Sequence, residues 1–445
     1  MAVYYALRPV LTRLYEPADF GVLALFTAIV AVFSVGAAGR YDDALMQPET
    51  DREAGGLLAL CLTVLAGVTV LTVPLVIWRD QLAAWLGEPD AAPYLALVPL
   101  GLIGAGAMRI LKTWHTRQRR FGLIASGEIT HNAARGTVQV GAALAAATPA
   151  GLIGGAVAGQ VAAAALWGVR IGRGVFSGVT PGLMRTLAGR YRQFPQFGLP
   201  SGLLNTASVQ LPALLLFYYF GAQVAGWYGQ AAALLTIPIA IVGGSVGQAF
   251  FVEAADAVRS GTLPALARRV ANQLAYAGAY PMLAVVLAGP DLVAFVLGEP
   301  WRPAGVYAQW LAPWLFFVLV SSPLSRLFDV LERQRAALAF NLILFGTRAA
   351  TLVAGGLLAS DLLAIQLFGG SGALLWLLHT VWMLGFATVP VRDGLRMFAR
   401  WGLFAGVLTM PLWVVSGGWA VVIACAGAAL YYGILAWPRG RAEVL

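Results

Sequence analysis

The chain has 445 residues, 60% of them hydrophobic and 11% charged, a balance that excludes an ordinary soluble domain. Its net charge of +9 is scattered between apolar runs rather than gathered in one patch, which argues against nucleic acid as a partner and for orientation in a membrane by basic loops. The two cysteines, Cys61 and Cys425, both lie in apolar runs with no Cys/His cluster beside them, so neither a disulfide framework nor a zinc site is expected.

The hydropathy pattern predicts an all-α polytopic membrane protein of about fourteen transmembrane helices. A short first segment covers residues 1–11 and reaches only about 16 Å, so this helix is incomplete. An in-frame upstream start that completes it is expected. Full spans follow at 20–39, 54–78, 93–111, 123–147, 150–170, 196–220, 223–251, 265–289, 304–325, 336–358, 362–390, 398–416 and 418–437. With the N-terminus inside, the outer loops keep only Arg13, Arg79 and Arg302, while the remaining loop arginines and Lys112 fall inside. Both termini are therefore expected on the cytoplasmic side. The loops are short, so any function must reside within the helical bundle.

The predicted span 123–147 follows a basic run (Lys112, His115, Arg117, Arg119, Arg120) and carries Glu128, His131, Arg135 and Gln139. Spacings of three and four place these on one helical face. Arg135 lies twelve residues into the span, roughly 18 Å along it and near the middle of a ~30 Å hydrocarbon core. An ionisable group at that depth normally faces a bundle interior or a watery cavity. Glu128-x-x-His131 has the spacing of a metal-ligand pair, but a carboxylate-bridged site needs further ligands that are missing, and no metal is expected.

The same pattern recurs. Arg333-Gln334-Arg335 leads into a span with Asn341 and Arg348 seven residues apart, each shifted by 213 positions from Glu128 and Arg135. Residues 80–89 (DQLAAWLGEP) and 291–300 (DLVAFVLGEP) share six of ten identities at a shift of 211. The chain is thus a duplicated bundle with one mid-membrane arginine per copy, and both copies run parallel, an arrangement found in transporters whose site lies near the midplane between halves. The organisation expected is a six-helix lobe at 1–172, a cytoplasmic linker at 173–195, a second six-helix lobe at 196–390 around a central cavity, and two additional helices with a cytoplasmic tail at 391–445.

Smaller features have structural readings. Gly151, Gly155 and Gly159 form a ridge for close helix packing. Trp78, Trp85, Trp301, Tyr431, Tyr432 and Trp437 suit an interfacial belt. Arg8 and Arg109, near span ends, are expected to snorkel.

Two further blocks carry a family likeness. Thr12-Arg13-Leu14-Tyr15, Pro17, Asp19-Phe20-Gly21, Gly39-Arg40-Tyr41 and Ala44-Leu45 form the first. Tyr191, Phe194-Pro195, Pro200-Ser201, Leu204-Asn205, Gln210-Leu211-Pro212, Gly247-Gln248 and Phe250 form the second. Both resemble bacterial polysaccharide flippases of the multidrug/oligosaccharidyl-lipid/polysaccharide exporter superfamily. The resemblance implies alternating access between two lobes, without covalent chemistry. The cargo implied is a polyprenyl-diphosphate-linked oligosaccharide, moved from the inner to the outer leaflet of the bacterial plasma membrane. It also implies coupling to a proton or sodium gradient, no cofactor, a role in lipopolysaccharide or exopolysaccharide assembly, and contact with membrane lipid and other polysaccharide-assembly proteins.

A buried arginine suits a diphosphate, being permanently charged and able to offer paired N–H donors. Arg135 and Arg348 are therefore the substrate-binding candidates, with Asn205 and Gln210 ranked lower. The alternative for each arginine is internal pairing, Arg135 with Glu128. Glu128 and His131 are candidates for ion coupling, with structural pairing as their alternative. A multidrug exporter of the same superfamily would favour an acidic cavity, and a membrane polymerase or ligase would carry catalytic residues in a large outer loop; neither feature is seen.

Overall fold

The computed structural model describes residues 2–172 and 174–436. Every regular element among them is helical, and the chain forms two units, Met1–Gly226 and Trp227–Leu445. The cytoplasmic tail expected at the C-terminal end, with Trp437, lies outside the described residues.

The first unit holds α1 (Ala2–Leu14), α2 (Pro17–Gly36), α3 (Tyr41–Ala44), α4 (Asp51–Val70), α5 (Val73–Ile77), α6 (Arg79–Trp85), α7 (Ala92–Leu95), α8 (Val98–Arg117), α9 (Phe121–Ala145), α10 (Pro149–Gly168) and α11 (Pro181–Arg190). Helix starts follow the local sequence. Glu16 and Asp19 make a reciprocal capping box ahead of α2, with Pro17 at its first position, and the Thr50 hydroxyl accepts from Glu53 N to open α4, each satisfying N–H groups that a helix leaves unbonded. Helix α8 packs against α2, α4 and α10, and α9 lies along α10. Leu57, Leu58, Leu102, Ile110 and Trp114 are buried at the α4–α8 core.

Helix α12 (Leu199–Ser260) is continuous in hydrogen bonding but breaks at Gly221, where φ is 81° and ψ −177°. Its first part belongs to the first unit, where Ala222 and Gly226 pack so closely on Gly21 and Pro17 of α2 that a Cβ on Gly21 would stand 1.7 Å from the Ala222 carbonyl oxygen. The second unit holds the rest of α12, then α13 (Leu263–Leu297, broken at Ala288), α14 (Arg302–Leu324), α15 (Leu327–Val330), α16 (Gln334–Leu357), α17 (Asp361–Phe386), α18 (Val391–Thr409) and α19 (Gly418–Ala436). Helix α13 is its centre, in contact with α14, α18 and α19, while α14 and α16 both pack on α17.

The duplication is written in the backbone. Gly87 and Gly298, the glycines of the two LGEP segments, both have positive φ (74° and 106°) and each precedes a short 3-10 turn, Pro89–Ala91 and Glu299–Trp301. Arg119 and Glu332, related by the 213-residue shift, are both non-glycine residues with positive φ (56° and 54°) just ahead of α9 and α16.

Among the described residues, eight helices are long and apolar enough to cross a membrane, or nine when the bent pair Pro89–Leu95 and Val98–Arg117 is counted. Fourteen spans were expected, and the difference has identifiable causes. Helix α9 is missing from the eight because its polar face lowers its hydropathy, and two expected spans share α12. Helix α1 has 13 residues, and α18 carries Arg392, Arg396 and Arg400. Large apolar side chains such as Leu144, Leu357, Leu403 and Val414 are exposed, as lipid-facing residues are. Two of the expected belt residues are instead core: Trp301 and Tyr431 are fully buried, the Tyr431 hydroxyl donating to the Tyr276 carbonyl.

Candidate functional site

The α9 face is built on glycine. His131, Arg135 and Gln139 lie over Gly159 and Gly155 of α10. A Cβ on Gly159 would meet the His131 carbonyl oxygen at 2.5 Å and the Arg135 Cβ at 3.0 Å, and one on Gly155 would meet the Arg135 carbonyl oxygen at 2.8 Å. The ridge read from the GxxxGxxxG spacing therefore seats the polar face itself. It lets two helices approach closely enough for polar groups to bond across them. Gln139 is fully buried, its Nε2 donating to the Leu152 carbonyl at 2.8 Å. The Gln139 backbone carbonyl accepts from the Tyr15 hydroxyl at 2.6 Å, which ties the chain between α1 and α2 to the same spot. Arg135 is half-buried between these contacts.

Glu128 lies on the same face of α9, one turn before His131, and its charge is met from another helix. Its carboxylate accepts from Lys112 Nζ at 2.7 Å, and its backbone carbonyl accepts from Asn132 Nδ2 at 2.7 Å. Lysine, the sole one in the chain, thus takes the place that Arg135 was expected to fill under the internal-pair alternative.

In the second unit Arg348 is also half-buried, its guanidinium carbon 5.4 Å from the centroid of the Trp314 ring. That contact is a cation–π interaction. Trp314 meets Phe368 edge-on at 5.0 Å, and Phe368 meets Tyr228 edge-on at 6.1 Å, so the cation stands at the head of an aromatic row from α14, α17 and α12. Nothing in the α16 sequence announces this row, because its members come from three other helices. Arg135 lies fourteen residues past Phe121 and Arg348 fourteen past Gln334, each counted from the first residue of its helix. Both therefore stand about 21 Å along.

Asn205 is exposed and Gln210 half-buried on the first part of α12, and neither side chain is hydrogen-bonded among the described residues. Arg109 does not merely snorkel. Its Nε donates to the buried Asp42 at 2.6 Å, and a second nitrogen lies 3.7 Å from Asp43.

Comparison with known proteins places this geometry. The fold is similar to that of "Lipid II flippase MurJ, inward closed conformation", with a TM-score of 0.72 at 11% identity over 98% of this chain and 99% of that one. It is also similar to the inward-facing conformation of a multidrug resistance MATE family transporter of the MOP superfamily, with a TM-score of 0.64 at 12% identity over 90% and 95% of the two chains. At such identities the likeness is one of fold, and the chain is a multi-pass membrane protein. No curated protein matches it in sequence. A family model described as "Polysaccharide biosynthesis protein" matches residues 10–305, well over half of the chain, and the chain belongs to that family.

Proposed function

We propose that this protein flips polyprenyl-diphosphate-linked oligosaccharide from the inner to the outer leaflet of a bacterial plasma membrane for surface polysaccharide assembly. It works by alternating access of the lobes 1–172 and 196–390 and makes no covalent bond. The observation that carries this reading is the pair Arg135 and Arg348, at matching positions along repeated helices in a member of a polysaccharide biosynthesis family. A lipid diphosphate brings negative charge and a bulky sugar into a region that excludes both, and a fixed guanidinium lowers that barrier through charge-assisted, paired hydrogen bonds. The fold it shares with a lipid II flippase supports transport of a lipid-linked glycan. Glu128 and His131 are proposed to carry a coupling proton, and the arginine-rich loops set both termini on the cytoplasmic side.

The test is a strain lacking the gene. Loss of surface polysaccharide, with the lipid-linked oligosaccharide accumulating in the inner leaflet, is the expected result, and the wild-type gene restores the surface polymer. Normal surface polymer in the deletion strain, accompanied by new sensitivity to cationic drugs, would overturn the reading in favour of drug export.

A further inference from the structure

A basic hollow lies at one end of the seam between α13 and α18. It encloses about 410 Å³ and is lined by Arg268, Arg269 and Asn272 of α13 and by Asp393, Arg396 and Arg400 of α18. Four guanidiniums face one carboxylate, Asp393, which stands 3.7 Å from Arg268. Asn272 adds N–H donors to the lining. Its Oδ1 accepts from Trp401 Nε1 at 2.8 Å, and because indole only donates, this bond fixes the amide's orientation and leaves its N–H pair to donate. Arg400 is steadied over the Trp401 ring at 4.9 Å. Basic residues that serve only to orient a membrane protein need no shared hollow. Here they converge from two helices on one concavity whose lining suits an oxyanion.

Farther along the seam the lining turns apolar. Leu283 and Leu287 of α13, with Leu403, Val407, Met410 and Trp413, border a groove of about 580 Å³. Leu287 is eighteen residues past Arg269, and Leu403 and Val407 are seven past Arg396 and Arg400. At 3.6 residues per turn these spacings keep both linings on one face of each helix. Leu403 is 73% and Trp413 76% exposed.

We propose that this seam binds an anionic phospholipid, its phosphate among Arg268, Arg269, Arg396 and Arg400 and its acyl chains along the groove. A phosphate headgroup and inorganic phosphate share the chemistry the hollow recognises, and the apolar continuation of the same face selects the lipid. Basic pockets between membrane helices are known to hold such headgroups. Its lining includes neither Arg135 nor Arg348, and the proposal is independent of what the protein carries.

The test uses the purified full-length protein, with native mass spectrometry and melting temperature read while phosphatidylglycerol, phosphatidylcholine or inorganic phosphate is added. Phosphatidylglycerol is expected to stay bound and raise the melting temperature, and the other two to do neither. The R269Q/R396Q variant should weaken phosphatidylglycerol retention by roughly thirtyfold, while R269K/R396K keeps most of it. Removing two loop charges elsewhere, R185Q/R192Q, should change nothing. A second variant, L403N/V407N, leaves every arginine in place and should also lose the lipid, which keeps the proposal open to refutation if R269Q/R396Q fails to fold. Equal retention in R269Q/R396Q and wild type, or equal loss in R185Q/R192Q, overturns the site. Stabilisation by inorganic phosphate matching that by phosphatidylglycerol overturns the lipid as its occupant.

Discussion

Glu88 Oε1 accepts a hydrogen bond from the backbone N–H of Ala222 at 2.9 Å, one residue beyond the break at Gly221. The N–H groups that follow such a break have no partner within the helix, and the carboxylate of the first LGEP segment supplies one. In the second copy the corresponding Glu299 is instead held by Arg302, which also binds Asp291 at 2.7 Å. The motif is thus duplicated, but its acidic residue has been put to two uses.

Two variants test this joint. Gly221 has φ 81° and ψ −177°, a region open essentially to glycine alone, so Gly221→Ala should cost roughly 1–3 kcal/mol. Glu88→Ala should cost about 1 kcal/mol through the lost cap, and Glu88→Gln less, since an amide oxygen can still accept. Melting temperatures of the purified protein check the order Gly221→Ala, Glu88→Ala, Glu88→Gln from most to least damaging.

The glycine ridge gives a sharper contrast. A Cβ on Gly155 would press on the Arg135 backbone carbonyl, which cannot swing aside, whereas one on Gly154 meets nothing within 4 Å. Gly155→Val should therefore force α9 from α10, cost about 3 kcal/mol or more and lower the amount of folded protein. Gly154→Ala should be neutral within about 0.5 kcal/mol. Equal yields of the two by size-exclusion chromatography would mean that the helices tolerate separation.

Much of this was legible in the sequence, and the parts that were not have a common cause. The His131–Arg135–Gln139 face and the Gly151–Gly155–Gly159 ridge were each readable because helical periodicity is local, and the 213-residue shift exposed the second arginine. That the face lies on the ridge was not readable, since the two patterns carry no sign of each other. The aromatic row beyond Arg348 was hidden for the same reason, as Trp314, Phe368 and Tyr228 come from separate helices. Charge partners were misjudged where a short helix intervened. Asp42, in the four-residue α3, is 2% exposed and captures Arg109, and no hydropathy window of membrane length resolves so small an element.

The Asp42–Arg109 pair yields a pH-dependent prediction. Burial pushes the Asp42 carboxyl up from its ordinary value, and the Arg109 guanidinium beside it opposes that rise. Arg109→Gln removes the opposition, so the folded-state value climbs further above the unfolded one. The resulting destabilisation is full above the folded value and fades as pH falls and the carboxyl takes up its proton. Arg109→Gln should cost about 2 kcal/mol near neutral pH and less in acidic solution. The double variant Asp42→Asn/Arg109→Gln should show a penalty that no longer changes with pH. Melting curves across that range distinguish the two, and a pH-independent loss in the single variant would remove Asp42 as its source.

The last prediction concerns Arg135 and Arg348, each near the middle of its helix. If they hold the diphosphate, Arg135→Gln should abolish surface polysaccharide while the protein still reaches the membrane in normal amount. Arg135→Lys should restore only part of the activity, because an ammonium cannot reproduce the paired donors of guanidinium. Arg348→Gln should act in the same direction but more mildly, as its helix lacks counterparts of His131 and Gln139. Trp314→Leu should weaken transport through Arg348, since it removes a cation–π contact worth about 0.5–2 kcal/mol. A purely structural arginine behaves differently. Were Arg135 present only to balance Glu128, its loss would leave a carboxylate without its counter-charge, and Glu128→Gln/Arg135→Gln would recover function. Glu128 is already satisfied by Lys112 at 2.7 Å, so the double variant is expected to remain as inactive as Arg135→Gln alone. Normal surface polysaccharide from Glu128→Gln/Arg135→Gln would remove Arg135 from the substrate path.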